Sequence, residues 1–412
     1  MAVPAHQATT RHLGAAYPFV AERDLGGAGV LVGRDLFGGA FVYDPFVLYG
    51  KGLLSNPNMV VFGQIGRGKS AFVKSYLWRQ SVFGRRAWVV DPKGEYGALA
   101  RACGTVPLAL RPGGTLRLNP LDAVPGVEDG DDVTRTRAEL LASLASTSLG
   151  RALSPSERTA VELAVDDASG RTAVPTLPMV VEALLEPTSP SAAAVRTDVA
   201  TLAADGRQVA LELRRLVAGD LRGMFDGPTS AALELDGPVV VLDLSAVYHS
   251  AALGVLMTCA AAWMRAALRR DGGGPVALVV DEAWAILSNL GVARWLQSSW
   301  KLSRAWGVSN VAVLHRVSDL CATGAAGSEQ VGLSQGLLAD SETRVLYGQP
   351  PEESAAAASL LGMSDTEREL LVRLGRGVAL WRVGGRSFLV QHRLSPHERA
   401  LVDTDARMAA GL

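Results

Sequence analysis

Three cysteines in 412 residues, Cys103, Cys259 and Cys321, are too few and too far apart for a disulfide framework or a thiolate metal site. They suit a reducing compartment, and the cytoplasm is the expected location. Charge of either sign is not in excess: the formal net charge is −1, so no global basic field draws the chain to nucleic acid. DNA as a partner therefore gets no support from net charge and has to rest on a local patch. Long hydrophobic runs are missing too. The longest uncharged stretch, Leu244 to Met264, holds His249, Ser250 and many alanines, and reads as a strand end plus a buried helix rather than a membrane span. The N-terminus lacks a basic start followed by an apolar core, so no signal peptide is expected. Internal repeats are absent. What remains is an ordinary globular composition, 48% hydrophobic and 20% charged, at a length that allows two or three domains.

Against this plain background one stretch stands out, Gly63-Gln64-Ile65-Gly66-Arg67-Gly68-Lys69-Ser70, a G-x-x-x-x-G-K-S phosphate-binding loop. An apolar β-type run, Met59 to Phe62, precedes it. A helical pattern from Ser70 to Phe83 follows, with Gly84 as its stop. Glycines at 63, 66 and 68 let successive N–H groups face phosphate oxygens, and the helix adds its positive end. Lys69 is assigned to the β- and γ-phosphates of ATP, and the Ser70 hydroxyl to Mg²⁺. The phosphate-binding set runs Gly63, Gln64, Ile65, Gly66, Arg67, Gly68, Lys69, Ser70 and Ala71.

Taken in order, the chain predicts an α/β protein with a mainly parallel central sheet and an all-α insertion. Residues 1–58 form an N-terminal segment with short strands at 29–34 and 41–46. Residues 59–123 and 236–412 form the nucleotide-binding domain. Strands are expected at 87–91, 106–110, 239–244, 276–280, 309–315 and 344–348, most of them buried parallel runs. Helices are expected at 250–270, at 291–305, from Glu352 and from Pro396, with a hairpin turning at Gly384-Gly385. Residues 124–235 show only helical spacing, over 134–146, 179–185 and 192–216, with a capping box at Ser154-Pro155-Ser156-Glu157 opening a further helix to about 168.

The second half of the site is Asp281-Glu282, which ends the run Val276-Ala277-Leu278-Val279-Val280. In this strand-end pattern Asp281 holds Mg²⁺ and Glu282 polarises the attacking water. His315 and Arg316 end the next strand, a place suited to sensing the γ-phosphate, although a histidine there is as often an ordinary strand cap. Asp91 and Glu95 end another strand. They either assist metal or water or pair with Lys93.

The combined pattern resembles the conjugative-transfer ATPases of type IV secretion systems, the TraC/TraE-like group of the HerA–FtsK superfamily. The matching runs are Gly33-Arg34, Asp44-Pro45-Phe46, Asn56-Pro57-Asn58-Met59, Gly63 to Ser70, Asp91-Pro92-Lys93-Gly94-Glu95-Tyr96 and Leu118-Asn119-Pro120-Leu121-Asp122. They continue with Phe225-Asp226-Gly227-Pro228-Thr229, Asp281-Glu282-Ala283-Trp284, Ser303-Arg304-Ala305-Trp306-Gly307-Val308 and Leu394-Ser395-Pro396-His397-Glu398. The resemblance implies a RecA-like P-loop NTPase, a homo-oligomeric ring that is commonly hexameric, and secretion-channel or coupling proteins as partners at the inner face of the cell membrane. It implies catalytic roles for Lys69 and Glu282 and makes Arg304 an arginine placed near the nucleotide across the subunit boundary, with Arg344 as the substitute. Two departures follow. Family members carry a large N-terminal domain where residues 1–58 stand here, and the strand that usually ends in a glutamine sensor ends in His315. The expected function is ATP hydrolysis powering DNA or protein transfer. The competing readings are a cytosolic DNA translocase and a nucleotide-gated scaffold with weak turnover.

Overall fold

The computed structural model describes residues 25–122 except 38, 130–248 except 220 and 231–236, then 253, 256, 259, 263, 274–287, 297, 300, 301, 303–305, 307–320 and 328–402. Eleven strands among them form one sheet. In chain order they are β1 (Val30–Asp35), β2 (Ala40–Tyr43), β3 (Met59–Phe62), β4 (Arg86–Asp91), β5 (Leu108–Ala109), β6 (Val239–Asp243), β7 (Val276–Val280), β8 (Val308–Leu314), β9 (Thr343–Tyr347), β10 (Val378–Val383) and β11 (Arg386–His392). Their spatial order is β2-β1-β11-β10-β9-β3-β8-β7-β4-β6-β5. From β9 to β5 every pairing is parallel; from β2 to β9 every pairing is antiparallel.

The parallel strands are largely apolar because both faces are covered; Arg86, Ser309, Asn310, Thr343 and Arg344 sit near their starts, and Asp91 and Asp243 at their ends. Val60 and Phe62 of β3 point into one buried cluster, Met59 and Val61 into the other. The second cluster is closed by Phe72, Val73, Tyr76 and Leu77 of the helix Lys69–Val82. Asn58, itself buried, donates to Trp300 O and Asp340 O and accepts from Asn310, which ties the start of β3 to its neighbours.

Between β5 and β6 the described residues form helices only: Gly130–Leu149, Pro155–Arg171, Leu177–Leu185, Ser189–Ala194 and Val199–Ala218. Ser154 and Glu157 form the capping box read from the sequence. The helix expected over 192–216 is two helices, broken where Arg196 takes φ 56° and Asp198 caps the next start. At the root of this stretch the two motif runs are clipped together. Arg117 pairs with Asp226 at 2.8 Å, and Thr229 Oγ1 accepts from Asn119 N and donates to Asp122.

Other expectations need correction. Asp44-Pro45-Phe46 does not extend β2; Asp44 accepts from Phe46 N and Val47 N and caps the helix Pro45–Gly50, with proline in its first turn. The strand at 106–110 shrinks to Leu108–Ala109. Helices Gly97–Ala102, Trp284–Leu287, Glu329–Ala339 and Asp365–Arg373 were not foreseen. The helix expected over 250–270 falls mostly outside the described residues, though Leu253, Leu256, Cys259 and Trp263 are helical and buried. The one expected over 291–305 is described only at 297, 300 and 301, and residues 303–305 form a turn, not its last helical turn. No helix of the described residues is long and apolar enough to cross a membrane.

Candidate active site at the strand ends

β3, β8 and β7 lie side by side and run parallel, so the residues that follow them meet at one edge of the sheet. After β3 comes the loop Gly63–Gly68, after β8 His315, and after β7 Asp281-Glu282. The register sets Phe62 beside Leu314, and Gly63 N donates to His315 O at 3.2 Å. Gly68 caps the following helix with φ 109°, a left-handed conformation that favours glycine. The helix, with 14 residues, presents its N-terminus to this edge.

Lys69 is buried. Its ammonium donates to Gly63 O and to Gln64 O, the latter at 3.2 Å, and lies 3.4 Å from His315 Nδ1. Burial pushes its pKa down to about 8, against the pull of the Asp281 and Glu282 carboxylates. The other ring nitrogen of His315, Nε2, lies 2.9 Å and 3.1 Å from the two oxygens of Glu282. Glu282 also accepts from Trp284 Nε1 and pairs with Lys93 Nζ. Burial alone would raise its pKa, but His315, Lys93 and Trp284 outweigh that and hold it at about 2. Asp281 is pushed up to about 7, first by burial and then by the charges of Glu282 and Asp91.

The donor set suits a divalent cation. Asp281 is a buried carboxylate crowded by like charge, which a cation offsets, and Ser70 supplies a half-buried hydroxyl one residue beyond Lys69.

Lys69, Glu282 and His315 thus come together, with Gly63, Gln64, Ile65, Gly66, Arg67, Gly68, Ser70 and Ala71 forming the loop and helix start around them. Ile65 stands 81% exposed at the loop tip, and Arg67 O accepts from Gly377 N. Arg304 is not brought in. It sits exposed in the turn before β8, at the opposite edge of the sheet. A strand of seven residues spans roughly 20 Å, which puts Arg304 out of reach of its own loop. Arg344, near the start of β9, is also at that far edge, and its guanidinium donates to Ser341 O and Leu338 O.

Neither Asp91 nor Glu95 takes up the Lys93 ammonium, as one of the two readings had it. Asp91 accepts from the N–H groups of Lys93, Gly94 and Tyr96 and so shapes its own loop; Glu95 pairs with the buried Lys74 at 3.4 Å. Lys93 reaches across to Glu282. Lys93 and Trp284 are the site residues that sequence reasoning missed. Both lie inside runs quoted above, but their partner is set by strand order, which the sequence does not spell out.

No protein-family model matches the chain, and no curated protein sequence matches it either. Solved structures do. VirB4 of Thermoanaerobacter pseudethanolicus superposes with a TM-score of 0.75 at 23% identity, covering 90% of this chain and 98% of that one. The plasmid coupling protein TrwB in complex with ADP and Mg²⁺ gives 0.59 at 16% identity over 93% of this chain and 92% of that one. TrwB with the ATP analogue ADPNP gives 0.57 at 16% identity over the same shares, 93% and 92%. Likeness at this identity and this coverage identifies the architecture: the chain has the RecA-like P-loop fold found in VirB4 and in the conjugative coupling protein TrwB.

Proposed function

We propose that the chain is an ATP-hydrolysing motor that powers transfer of DNA or protein through a type IV secretion or conjugation machine. The observation that supports this most strongly is the hydrogen-bonded chain Lys69–His315–Glu282, strung across the ends of three adjacent strands beneath a phosphate-binding loop. The fold likeness to VirB4 and TrwB adds the class of machine.

In this reading the loop amides and Lys69 bind the β- and γ-phosphates. Ser70 and Asp281 hold Mg²⁺, which neutralises charge on the phosphates when bound. Glu282 takes the proton of the attacking water, and His315 stands where such a motor registers the γ-phosphate, in contact with both the binding lysine and the base. Residues 124–235 act as a helical insertion, and the active form is a homo-oligomeric ring, six-fold by analogy with the resembled family, docked on channel or coupling proteins.

The test is ATPase activity of the purified chain with and without DNA, alongside its mass in solution. Turnover by an assembled species supports the motor. Stimulation by DNA that fades with salt favours the DNA translocase reading. Tight ATP binding without turnover, with or without DNA, favours the scaffold.

A further inference from the structure

Glu282 is described above as the water-activating carboxylate, and the inference here rests on that role. A general base needs a free oxygen lone pair aimed at its water. In this structure neither oxygen of Glu282 is free. Oε1 is paired with Lys93 Nζ and lies 3.1 Å from His315 Nε2; Oε2 lies 2.9 Å from His315 Nε2 and accepts from Trp284 Nε1. The donors come from three places: the loop after β4, the residue after β8 and the first residue of the short helix after β7.

Two further features mark this as a built arrangement. Glu282 carries φ 52°, a left-handed backbone seen at only one other non-glycine residue among those described, Arg196. Such a conformation is strained for a residue that carries a Cβ and persists where the surroundings impose it. The loop that carries Lys93 is fixed as well. Asp91 accepts from three of its N–H groups, and Gly94, at φ 70°, packs so closely on Ser245 that an added Cβ would lie 3.0 Å from it. With both ends of the pair anchored through the backbone, the Lys93 side chain is the element free to swing. It is 26% exposed, against 4% for Glu282, so it has an open side to withdraw into. Tyr248, whose ring centroid lies 5.9 Å from the ammonium, lines its course.

We propose that Lys93 is a positioning residue that latches the catalytic carboxylate: while it pairs with Glu282 the base is occupied, and turnover requires that it let go. His315 and Trp284 hold the carboxylate through ring nitrogens. Lys93 brings an ammonium on a flexible stem with an open side, so it is the contact whose removal opens an oxygen to water.

The experiment measures steady-state ATP hydrolysis by the full chain carrying Lys93→Met, Lys93→Gln, Lys93→Arg or Glu282→Gln, with binding of a fluorescent ATP analogue to each. The latch predicts that Lys93→Met and Lys93→Gln raise kcat roughly threefold or more with KM little changed, and that Lys93→Arg brings the rate back towards wild type. A gain is readable even from a wild-type rate near the detection limit. The use of two neutral variants guards against one that fails to fold. If the folded neutral variants turn over at or below the wild-type rate, the latch is overturned and Lys93 serves the reaction instead. A Glu282→Gln variant that still hydrolyses ATP overturns the role of Glu282 itself, a result separable from any change at Lys93.

Discussion

Lys69 illustrates how one side chain combines burial with charge. It sits almost out of solvent with its ammonium turned onto carbonyls of its own loop, and its pKa is held near 8 by that burial. Lys69→Ala removes the phosphate-facing charge and little core volume, so ATP hydrolysis should be lost while the far-UV circular dichroism spectrum stays that of the wild type. Glu282→Gln keeps shape and loses charge; it should bind the nucleotide analogue and stall hydrolysis by 10²-fold or more, roughly. Loss of binding together with residual turnover would point to a structural role. His392 carries a different consequence. Its half-buried ring packs edge-on against Phe72, its Nε2 lies 2.7 Å from Ser75 Oγ, and desolvation with the nearby Arg79 charge lowers its pKa to about 4. The unfolded chain, with a histidine near 6.5, therefore binds the proton more readily than the native one. The sign is fixed by that: this contribution to stability is complete above pH 6.5 and is lost as pH falls towards 4, by an amount on the order of 3 kcal/mol. Urea unfolding at pH 7 and pH 4.5 should show a smaller acid loss in His392→Gln than in wild type. Equal losses would show that His392 does not contribute.

At the scale of elements, Ser154 makes a clean test of local sequence logic. Its side chain accepts from Glu157 N while Glu157 returns a contact to Ser154 N, which fixes the start of the helix Pro155–Arg171. Ser154→Ala should destabilise the chain by about 1 kcal/mol in chemical denaturation; no measurable change would mean that this stretch melts apart from the transition being followed. The capping box, the glycine-rich loop between β3 and the helix Lys69–Val82, the apolar parallel strands and the Gly384 hairpin were legible because each is written in a few consecutive residues. The misreadings have distinct physical origins. Asp44-Pro45-Phe46 was read as strand because apolar residues precede it, yet an aspartate before a proline is a helix start, and here the cap wins. Helices such as Glu329–Ala339 pass unnoticed because their apolar residues do not fall on a single stripe. The pairing of Lys93 with Glu282 was illegible for another reason. It depends on β4 lying next to β7, a neighbour relation between residues nearly two hundred positions apart, whereas the carboxylates near Lys93 in the chain are Asp91 and Glu95.

For the whole molecule the open question is what completes the site. Within one chain the loop edge gathers Lys69, Asp281, Glu282 and His315, but the arginine expected near the γ-phosphate, Arg304, lies in the exposed turn before β8 at the other edge of the sheet. Arg344 shares that edge and is already engaged with the Ser341 and Leu338 carbonyls, in a register that places Arg382 directly across from it. In the proposed ring, where one subunit's far edge would meet the next subunit's loop, Arg304 is therefore the better candidate to reach a neighbouring copy. A guanidinium suits a γ-phosphate whose charge grows in the transition state, and one supplied in trans contributes on the order of 10³-fold or more in rate. The competing account, that Arg304 only complements the carbonyl end of the preceding helix, is worth about 0.3–1 kcal/mol and leaves catalysis intact. Mixing separates the two. Lys69→Ala subunits bind ATP unproductively and retain Arg304; Arg304→Ala subunits bind ATP and lack the arginine. Mixed assemblies should hydrolyse ATP at a rate that neither variant reaches alone, rising and falling with the mixing ratio. Full activity of Arg304→Ala by itself, or silence at every ratio in assemblies shown by mass to be mixed, would establish that the site is completed without Arg304.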